Sequence, residues 1–303
     1  MKLVIFDVDD AACALISSPN RYGMMIDCGC AAKDSDKENP IDVITQLSEW
    51  LPIVPYKTKS GVCRPLTLLH ITHPDDDHVR NASRIKKDFT PYLLERTYVE
   101  NFPDAEKVND DYKRELDTPY RGPNSESIDW GFEENKSFLI PIETVKSNTR
   151  LNTKVRNNAS IVRYLKYKGV SVLFAGDLET PGWDWLAVND KDFNNTMKQG
   201  INILVAPHHG HKSGFPKSLF DFTGKVDVII HSKGSEGNIE GTDVASQYTN
   251  YANGVIYKTL NNESHYKGNV LTTRSNGNIF IEINGKGNLY WTQKASSNHI
   301  LIK

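Results

Sequence analysis

The sequence predicts an α/β fold in which layers of β-sheet are covered by helices. Short apolar runs alternate with segments of helical spacing, and Gly or Pro marks the ends of several apolar runs. The 303 residues are enough to bury a large core. Hydrophobic residues make up 38% of the chain and charged residues 24%, which is typical of a globular protein.

The first ninety residues predict a group of strands and two helices. The apolar runs 3–8, 11–17 and 24–26 are predicted strands, with a turn at 20–23. Residues 41–50 carry apolar side chains at helical spacing, and Pro40 suits the first turn of that helix. Residues 66–72 predict a buried strand, and residues 80–89 predict a helix.

Residues 90–137 are predicted to be an insertion in a single domain that spans 1–303. The stretch from about 101 to 136 is polar and acid-rich, but its aromatic residues argue against disorder. It either covers or borders the site, or it is a solvated surface excursion. After residue 157 the alternation returns: strands are predicted at 161–165, 170–175, 201–206, 226–231, 255–257, 269–271 and 279–283, and helices within 182–198 and at 215–222 and 243–252.

Charge and cysteine content indicate the compartment. The formal net charge of −2 predicts no overall attraction to nucleic acid or acidic membranes. Four cysteines without a second zinc-ribbon pair predict free thiols in a reducing environment. With no signal peptide and no apolar run approaching the roughly 18 residues that span a bilayer, we expect a soluble cytoplasmic protein with no membrane segment. The sequence does not indicate an oligomeric state.

The residues that suggest chemistry follow the predicted strand 66–72. Imidazole and carboxylate groups are the ligands that divalent metals take, and several of them here share one short turn. Adjacent carboxylates would repel one another without a cation. The turn contains five such side chains: His73, Asp75, Asp76, Asp77 and His78.

Three other predicted strands end in the same kind of residue. Asp27 follows 24–26, Asp177 follows 170–175, and His208 and His209 follow 201–206. Ligand sites of layered α/β folds form beyond the carboxyl ends of strands. Four such strand ends together therefore predict one shared metal site.

The order of these residues resembles the metallo-β-lactamase superfamily, and the motifs resemble most the metallo-β-lactamase domain of the ComEC-type competence proteins. That domain shows S-H-P-D-x-D-H, N-x-x-S, G-D-L-E and P-H-H-G. The matching stretches here are 72–78, 157–160, 176–179 and 207–210, and the resemblance extends from about residue 3 to about residue 285. It implies an αββα sandwich of two mixed β-sheets flanked by helices.

The resemblance also implies a centre of two divalent metal ions, with zinc preferred and manganese as the alternative. Asp177 corresponds to the bridging carboxylate, and Asp75 or Asp77 is expected to hold the nucleophilic water. The implied ligands of the first ion are His73 and Asp75; those of the second are Asp77, His78 and one of His208 and His209.

Five further residues are expected around these ligands. Asp27 corresponds to an aspartate that orients the His-rich loop, which is the turn 73–78 in this chain. Asn157, Asn158 and Ser160 belong to the N-x-x-S motif and are expected next to the ligands or the substrate. His231 ends the strand 226–231 and is expected either in the site or in the core.

The chain departs from the family in several ways. Asp75 replaces the second His of the superfamily's H-x-H-x-D-H loop, and no His lies between His78 and Asp177. The first metal site is therefore poorer in ligands, and we expect the second to fill first. The glycines of the V-G-Q-G-D-A motif are missing at 8–13, and the family's membrane channel segments are absent.

These features favour a metal-dependent hydrolase, specifically a phosphodiesterase or nuclease acting on nucleic acid or a nucleotide. Basic residues near the later motifs would attract phosphate: Arg150, Lys154, Arg156, Arg163, Lys166, Lys168, Lys212 and Lys217. The alternative is a hydrolase of a small ester, lactone, thioester or lactam, which the net charge and the acidic insertion favour. A binding protein without activity is a third reading, against which the nearly complete ligand set argues.

Overall fold

Two mixed β-sheets form the centre of the computed structural model, which describes residues 1–120, 128–233, 245–259, 267–292 and 300–302. The strands of the described residues are β1 (Lys2–Ile5), β2 (Cys13–Ser17), β3 (Gly23–Cys28), β4 (Tyr56–Lys57), β5 (Cys63–Arg64), β6 (Leu66–His70), β7 (Pro91–Glu95), β8 (Glu134–Phe138), β9 (Val162–Tyr167), β10 (Val170–Phe174), β11 (Ile203–Val205), β12 (Val228–His231), β13 (Val255–Thr259), β14 (Lys267–Gly268), β15 (Val270–Thr272), β16 (Ile279–Ile283), β17 (Leu289–Thr292) and β18 (Ile300–Ile302).

The helices are short and lie between these strands. They are α1 (Pro40–Gln46), α2 (Asp76–Val79), α3 (Ala82–Asp88), α4 (Asp110–Tyr112), α5 (Ile142–Ser147), α6 (Val155–Asn158), α7 (Thr180–Asn189), α8 (Lys191–Met197), α9 (Lys217–Thr223), α10 (Ala245–Thr249) and α11 (Thr273–Asn276). A π-helical turn, Lys113–Asp117, continues α4, and single 3₁₀ turns occur at Val99–Asn101, Ala105–Lys107, Asn152–Lys154, Pro207–Gly210 and Lys212–Gly214.

Each sheet combines parallel and antiparallel pairs. The larger sheet has the order β14-β13-β18-β17-β16-β1-β2-β3-β6-β7, and β3, β6 and β7 are parallel neighbours. The smaller sheet has the order β15-β12-β11-β10-β9-β8, and β10, β11, β12 and β15 are parallel. The short β4–β5 hairpin stands apart from both sheets.

Alternating side chains divide the core into three layers. Leu3 and Ile5 of β1 pack between the two sheets, together with Val172 of β10. Val4 of the same strand faces the opposite way, in the cluster that contains residues of α1 and α3. Leu173 of β10 packs with residues of α7, α8 and α9 on the outside of the smaller sheet. This period-two alternation places helices outside both sheets and confirms the predicted αββα sandwich.

Most predicted elements are present with shorter bounds. The helix predicted within 182–198 is two helices, α7 and α8, because Asp190 adopts an extended conformation and its side chain caps α8 by accepting from Phe193 N. The helix predicted at 243–252 is described only from Ala245 to Thr249, since residues 243 and 244 lie outside the described residues. The predicted insertion contains β7 and β8, which the sequence did not suggest as strands, and its residues 121–127 also lie outside the described part.

The longest helix of the described residues, Thr180–Asn189, has 10 residues. Among these residues, every helix is too short or too polar to traverse a bilayer.

Candidate metal centre

The predicted ligand residues meet at one edge of the sandwich because they follow parallel strands. Ile26 of β3 pairs with His70 of β6, so the residues after these two strands emerge side by side. Phe174 of β10 pairs with Val205 of β11 in the same way. The carboxyl ends of strands in both sheets thus deliver Asp27, the His-rich loop, Asp177 and the His208–His209 turn to a common place.

Four side chains form a compact cluster there. Asp77, His78, Asp177 and His209 each contribute one ligand atom, and these atoms all lie within 4.8 Å of one another. His78 Nε2 lies 3.1 Å from Asp177 Oδ1, and His209 Nε2 lies 3.2 Å from Asp77 Oδ2. His78 and Asp177 are buried, whereas Asp77 is partly exposed. We call these residues the four-residue cluster.

Hydrogen bonds from outside the cluster decide which nitrogen of each imidazole faces inward. His78 Nδ1 lies 2.8 Å from Asp27 Oδ2, and His209 Nδ1 lies 3.0 Å from Ser232 O. A carboxylate and a carbonyl oxygen only accept hydrogen bonds, so both Nδ1 atoms carry a hydrogen. When they are neutral, the imidazoles therefore direct the lone pairs of Nε2 into the cluster, as metal-ligating histidines do.

A second group of ligand-type atoms faces the other oxygen of Asp177. His73 Nε2 lies 3.8 Å from Asp177 Oδ2, and His208 Nε2 lies 3.7 Å from it. Asp75 Oδ2 lies 3.5 Å from His73 Nε2. Both histidines of the His208–His209 turn thus approach Asp177, each on its own oxygen. Of the two, His209 belongs to the four-residue cluster.

The donor set fits a divalent metal ion. The buried atoms His73 Nε2, His78 Nε2 and Asp177 Oδ1 have no hydrogen-bond partner. Imidazole lone pairs that face a carboxylate repel it unless a proton or a cation lies between them. Nitrogen and carboxylate oxygen are the ligands that zinc and manganese accept, so these residues suit such an ion.

The pKa shifts within the four-residue cluster also indicate that its carboxylates need a positive charge beside them. Burial lowers the pKa of His78, but the charges of Asp177, Asp27 and Asp77 outweigh burial and hold it well above its ordinary value. Burial raises the pKa of Asp177, and the neighbouring imidazoles, His78 first, outweigh it and hold that pKa well below the usual range. Protons on the imidazoles therefore balance the carboxylates, and an ion would bind in exchange for them.

The turn that carries His208 and His209 has a strained backbone. His208, His209 and Gly210 have φ values of 51°, 53° and 83°, all in the left-handed region. A Cβ on Gly210 would lie 2.3 Å from Nδ1 of His231, which is buried at the end of β12. Burial lowers the pKa of His231 to about 3, so this imidazole is neutral. The neutral His231 ring therefore packs against Gly210 and supports the turn. It also contacts the ring of Tyr248.

Close backbone contacts hold the His-rich loop in place. Ala12 N donates to Asp77 O over 3.1 Å, and a Cβ on Gly29 would lie 2.0 Å from that same oxygen. Asp27 accepts from Thr72 N at 2.7 Å and from Thr72 Oγ1 at 2.8 Å. The close approach at Ala12 is thus made without a glycine at positions 8–13.

The residues of the N-x-x-S motif have different environments. Ser160 Oγ accepts from Asp177 N over 3.1 Å, which fixes the backbone of the central carboxylate. Asn158 is fully buried, but its amide donates to Leu151 O, in the segment that precedes β9. Asn157 is buried at the end of α6, where its carbonyl accepts from Ser160 N.

Sequence reasoning missed a relay behind His208. Ser213 Oγ donates to Glu179 Oε1 over 3.2 Å and lies 3.0 Å from His208 Nδ1. Because the serine hydrogen points to the carboxylate, His208 Nδ1 donates to Ser213, and His208 Nε2 is left as a lone pair facing Asp177. The motif residue Glu179, two positions after Asp177, was the available signal.

Several members of the predicted basic cluster are paired with acidic side chains. Arg163 is buried and paired with Glu95, so it lies beyond the reach of a phosphate backbone, and the prediction that it attracts a polyanion is wrong. A charged residue on a hairpin looks exposed in the sequence, but β9 turns Arg163 toward the other sheet. Arg150 pairs with Asp184, and Lys166 pairs with Glu134.

An acidic cleft opens beside Asp77. It has a volume of about 590 Å³. Aspartates dominate its polar lining, which comprises Asp9, Asp10, Asp34, Ser35, Asp36, Asp77 and Arg80. This wall of the centre therefore disfavours a polyanion.

Comparisons with known proteins find distant likenesses in fold. The chain is similar to the metallo-β-lactamase fold protein YhfI from Bacillus subtilis, with 10% identity over 91% of this chain and 98% of that one, and a TM-score of 0.42. It is also similar to Zn²⁺-bound PqqB from Methylobacterium extorquens, with 11% identity over 82% of this chain and 93% of that one, and a TM-score of 0.38. No family model and no curated protein matches the sequence. The function is therefore argued from the site itself.

Proposed function

We propose that this chain is a metal-dependent hydrolase whose ion is held by Asp77, His78, Asp177 and His209. The observation that carries the proposal is the four-residue cluster, in which outer hydrogen bonds turn two imidazole Nε2 atoms toward two carboxylates. A structural ion pair would not need Nδ1 of both imidazoles held from outside, with His78 Nε2 left buried and without a hydrogen-bond partner. A metal site needs that arrangement.

A divalent ion at such a site acts as a Lewis acid and makes a water nucleophilic near neutral pH. The chain itself supplies orientation. Asp27 keeps the hydrogen of His78 on Nδ1, and Ser232 O does the same for His209. Ser160 fixes the backbone of Asp177, so all three side chains are set before substrate arrives.

His208 and Glu179 are suited to handling protons. Burial lowers the pKa of His208, and the imidazole is therefore neutral near pH 7 and can take up a proton at Nε2. Burial raises the pKa of Glu179, which reaches His208 through Ser213. We propose that this relay passes a proton to or from the reacting group.

For the substrate we propose a phosphodiester, because the motifs around the site resemble those of the ComEC-type domain. The surroundings favour a compact molecule such as a nucleotide over a long polynucleotide. Arg163 is buried, and the acidic cleft would repel a continuous phosphate backbone on the Asp77 side.

A second candidate is hydrolysis of a small uncharged ester, lactone, thioester or lactam. The acidic cleft is the observation that favours it, because an uncharged substrate loses nothing by lying next to aspartates. The same ion and the same oriented residues would serve acyl transfer.

The test combines metal analysis with a substrate panel. Purified protein reconstituted with zinc or manganese should retain metal and cleave bis-p-nitrophenyl phosphate faster than a chromogenic lactam or thioester, with single-stranded DNA as a third arm. Asp177→Asn should lose more than about 100-fold of the activity, as lost charge stabilisers do. Asp184→Asn, an exposed aspartate paired with Arg150, is the control.

Three outcomes bear differently on the proposal. Protein that retains no metal under any of these conditions would refute the metal-dependent hydrolase. Protein that retains metal and cleaves only the acyl substrates would refute the phosphodiesterase and support the second candidate. An Asp177→Asn variant with full activity would show that the four-residue cluster is not the active centre.

A further inference from the structure

Asp75 differs from the other aspartates of the centre because an arginine already binds it. Arg156 Nη1 lies 2.6 Å from Asp75 Oδ1, and Arg156 Nη2 lies 3.1 Å from Asp104 Oδ2. The first contact is an ion pair without the alignment of a hydrogen bond. Both partners of this pair are largely buried, with side chains 23% and 27% exposed. Asp104 belongs to the insertion, so the guanidinium is held from two sides.

The location of this pair matters for metal binding. Asp75 Oδ2 faces His73 Nε2, which faces Asp177 Oδ2. These atoms lie on the opposite side of Asp177 from the four-residue cluster, whose contacts are with Asp177 Oδ1. From here on, we call the ion of the four-residue cluster the first ion, because it is expected to bind first. A second ion to bind would use His73 and Asp75 and would lie next to the guanidinium.

We propose that Arg156 competes with a second metal ion for Asp75, so that the centre binds one ion tightly and a second only weakly. An arginine side chain remains charged at every pH at which the protein is folded. Its positive charge neutralises Asp75 and repels a divalent ion at close range. The four-residue cluster contains no arginine, and its two carboxylates remain available to the first ion.

The proposal rests on the metal centre of the proposed function, and it assigns Arg156 the role of a competitor for Asp75. It differs from an argument based on ligand number alone. If the second ion binds weakly only because ligands are few, removing Arg156 would change nothing. If Arg156 is the cause, removing it should strengthen binding of that ion.

Titration calorimetry of zinc or manganese into metal-free protein tests this without an activity measurement. Wild-type protein should show one tight step and one weak step. Arg156→Gln should leave the tight step unchanged and strengthen the weak step by about 10-fold or more, the size of effect that outer-sphere groups have on metal affinity. Arg156→Lys should stay close to wild type because it keeps the charge. Arg84→Gln, which removes an exposed arginine paired with Asp42, is the matched control.

The opposite results would overturn the proposal. A weaker or unchanged second step in Arg156→Gln would show that Arg156 supports Asp75 as a ligand or has no influence on it. Two equally tight steps in wild type would also refute it. Absence of every binding step would instead refute the metal centre itself, and with it this inference.

A second variant covers the case in which Arg156→Gln does not fold. Asp75→Asn in the presence of Arg156 should keep the tight step and abolish the weak one. Loss of the tight step in Asp75→Asn would place Asp75 among the ligands of the first ion and would contradict the proposal.

Discussion

Replacing Asp27 by Asn should lower metal affinity even though Asp27 does not belong to the four-residue cluster. Its carboxylate accepts three hydrogen bonds, from Thr72 N at 2.7 Å, from Thr72 Oγ1 at 2.8 Å and from His78 Nδ1 at 2.8 Å. Asn has one accepting oxygen and one donating nitrogen. With its oxygen facing Thr72 N, its nitrogen must face both Thr72 Oγ1 and His78 Nδ1.

Of these two groups, only the hydroxyl can adapt without cost to the metal. Thr72 Oγ1 can rotate and accept, but His78 Nδ1 accepts only if its hydrogen moves to Nε2. A hydrogen on Nε2 removes the lone pair that faces Asp177. Losing such an outer partner costs roughly 10- to 100-fold in metal affinity. That loss corresponds to about 1.4 to 2.7 kcal/mol.

Competition with a chromogenic chelator measures this affinity directly. Thr72→Val separates the tautomer argument from simple packing, because it keeps the 2.8 Å hydrogen bond between His78 and Asp27. It removes the hydrogen bond from Thr72 Oγ1 to Asp27 and the longer 3.3 Å contacts of Thr72 Oγ1 with His73 Nδ1 and His78 Nδ1. Its loss of affinity should be much smaller than that of Asp27→Asn. Asp42→Asn is the exposed control. If Asp27→Asn binds the ion as wild type does, the argument that Asp27 fixes the His78 tautomer is wrong.

Three further predictions follow from the same geometry. Chelator competition should show that His209→Gln weakens the first ion at least about tenfold more than His208→Gln, because only His209 of this pair belongs to the four-residue cluster; equal losses would contradict this. Urea unfolding should show that Gly210→Ala costs about 1 to 3 kcal/mol more than Gly200→Ala, since both have positive φ but only the first Cβ meets a side chain. Glu95→Gln should cost about 3 kcal/mol or less at pH 7, the low end for a buried pair because the Glu95 side chain is 33% exposed, by leaving the buried Arg163 guanidinium without its carboxylate partner. Burial raises the pKa of Glu95, but the charge of Arg163 and hydrogen bonds with His70 and Ser137 outweigh burial and hold it below the ordinary value. This contribution is therefore present above the unfolded pKa of about 4.3 and is lost as pH falls through the folded pKa; a wild-type advantage that persists in strong acid would refute the pairing.

The convergence of the site could be predicted from the sequence because its signals are local. Asp27 and Asp177 each follow an apolar run directly, and a strand delivers the next residue to the edge of its sheet. The same argument placed His78 and His209 at that edge. Two parallel pairs, β3 with β6 and β10 with β11, then brought them together.

The edge strands could not be predicted in the same way. β8 has the sequence Glu134–Phe138, whose side chains are mostly half-buried, so it lacks clear alternation. β8 is held in the sheet by its antiparallel pairing with β9 and not by a strand pattern in its own residues. The prediction that Arg163 is exposed is wrong for a related reason, because its partner Glu95 lies 68 positions earlier and in the other sheet. Contacts of that range depend on how the two sheets stack, which no local pattern reports.

The fixed tautomers also depend on contacts between distant residues. Ser232, whose carbonyl holds His209, follows β12 and carries no signal of a site role. Arg156 appears in the sequence as one of several basic residues, yet it contacts the predicted ligand Asp75. The chemistry of the centre is therefore determined by groups whose importance appears only once the two sheets are packed.

Salt dependence distinguishes a compact substrate from a long polyanion. Of the basic residues near the later motifs, Arg163 is buried and Arg156 is bound to Asp75 and Asp104. A polynucleotide that contacted several free cations would release counterions and bind much more weakly as salt rises. A compact phosphodiester, held at the metal centre alone, makes few such contacts. We therefore expect KM for a dinucleotide to change little between low and moderate salt, and a steep rise in KM would mean that a longer cationic path exists on this surface.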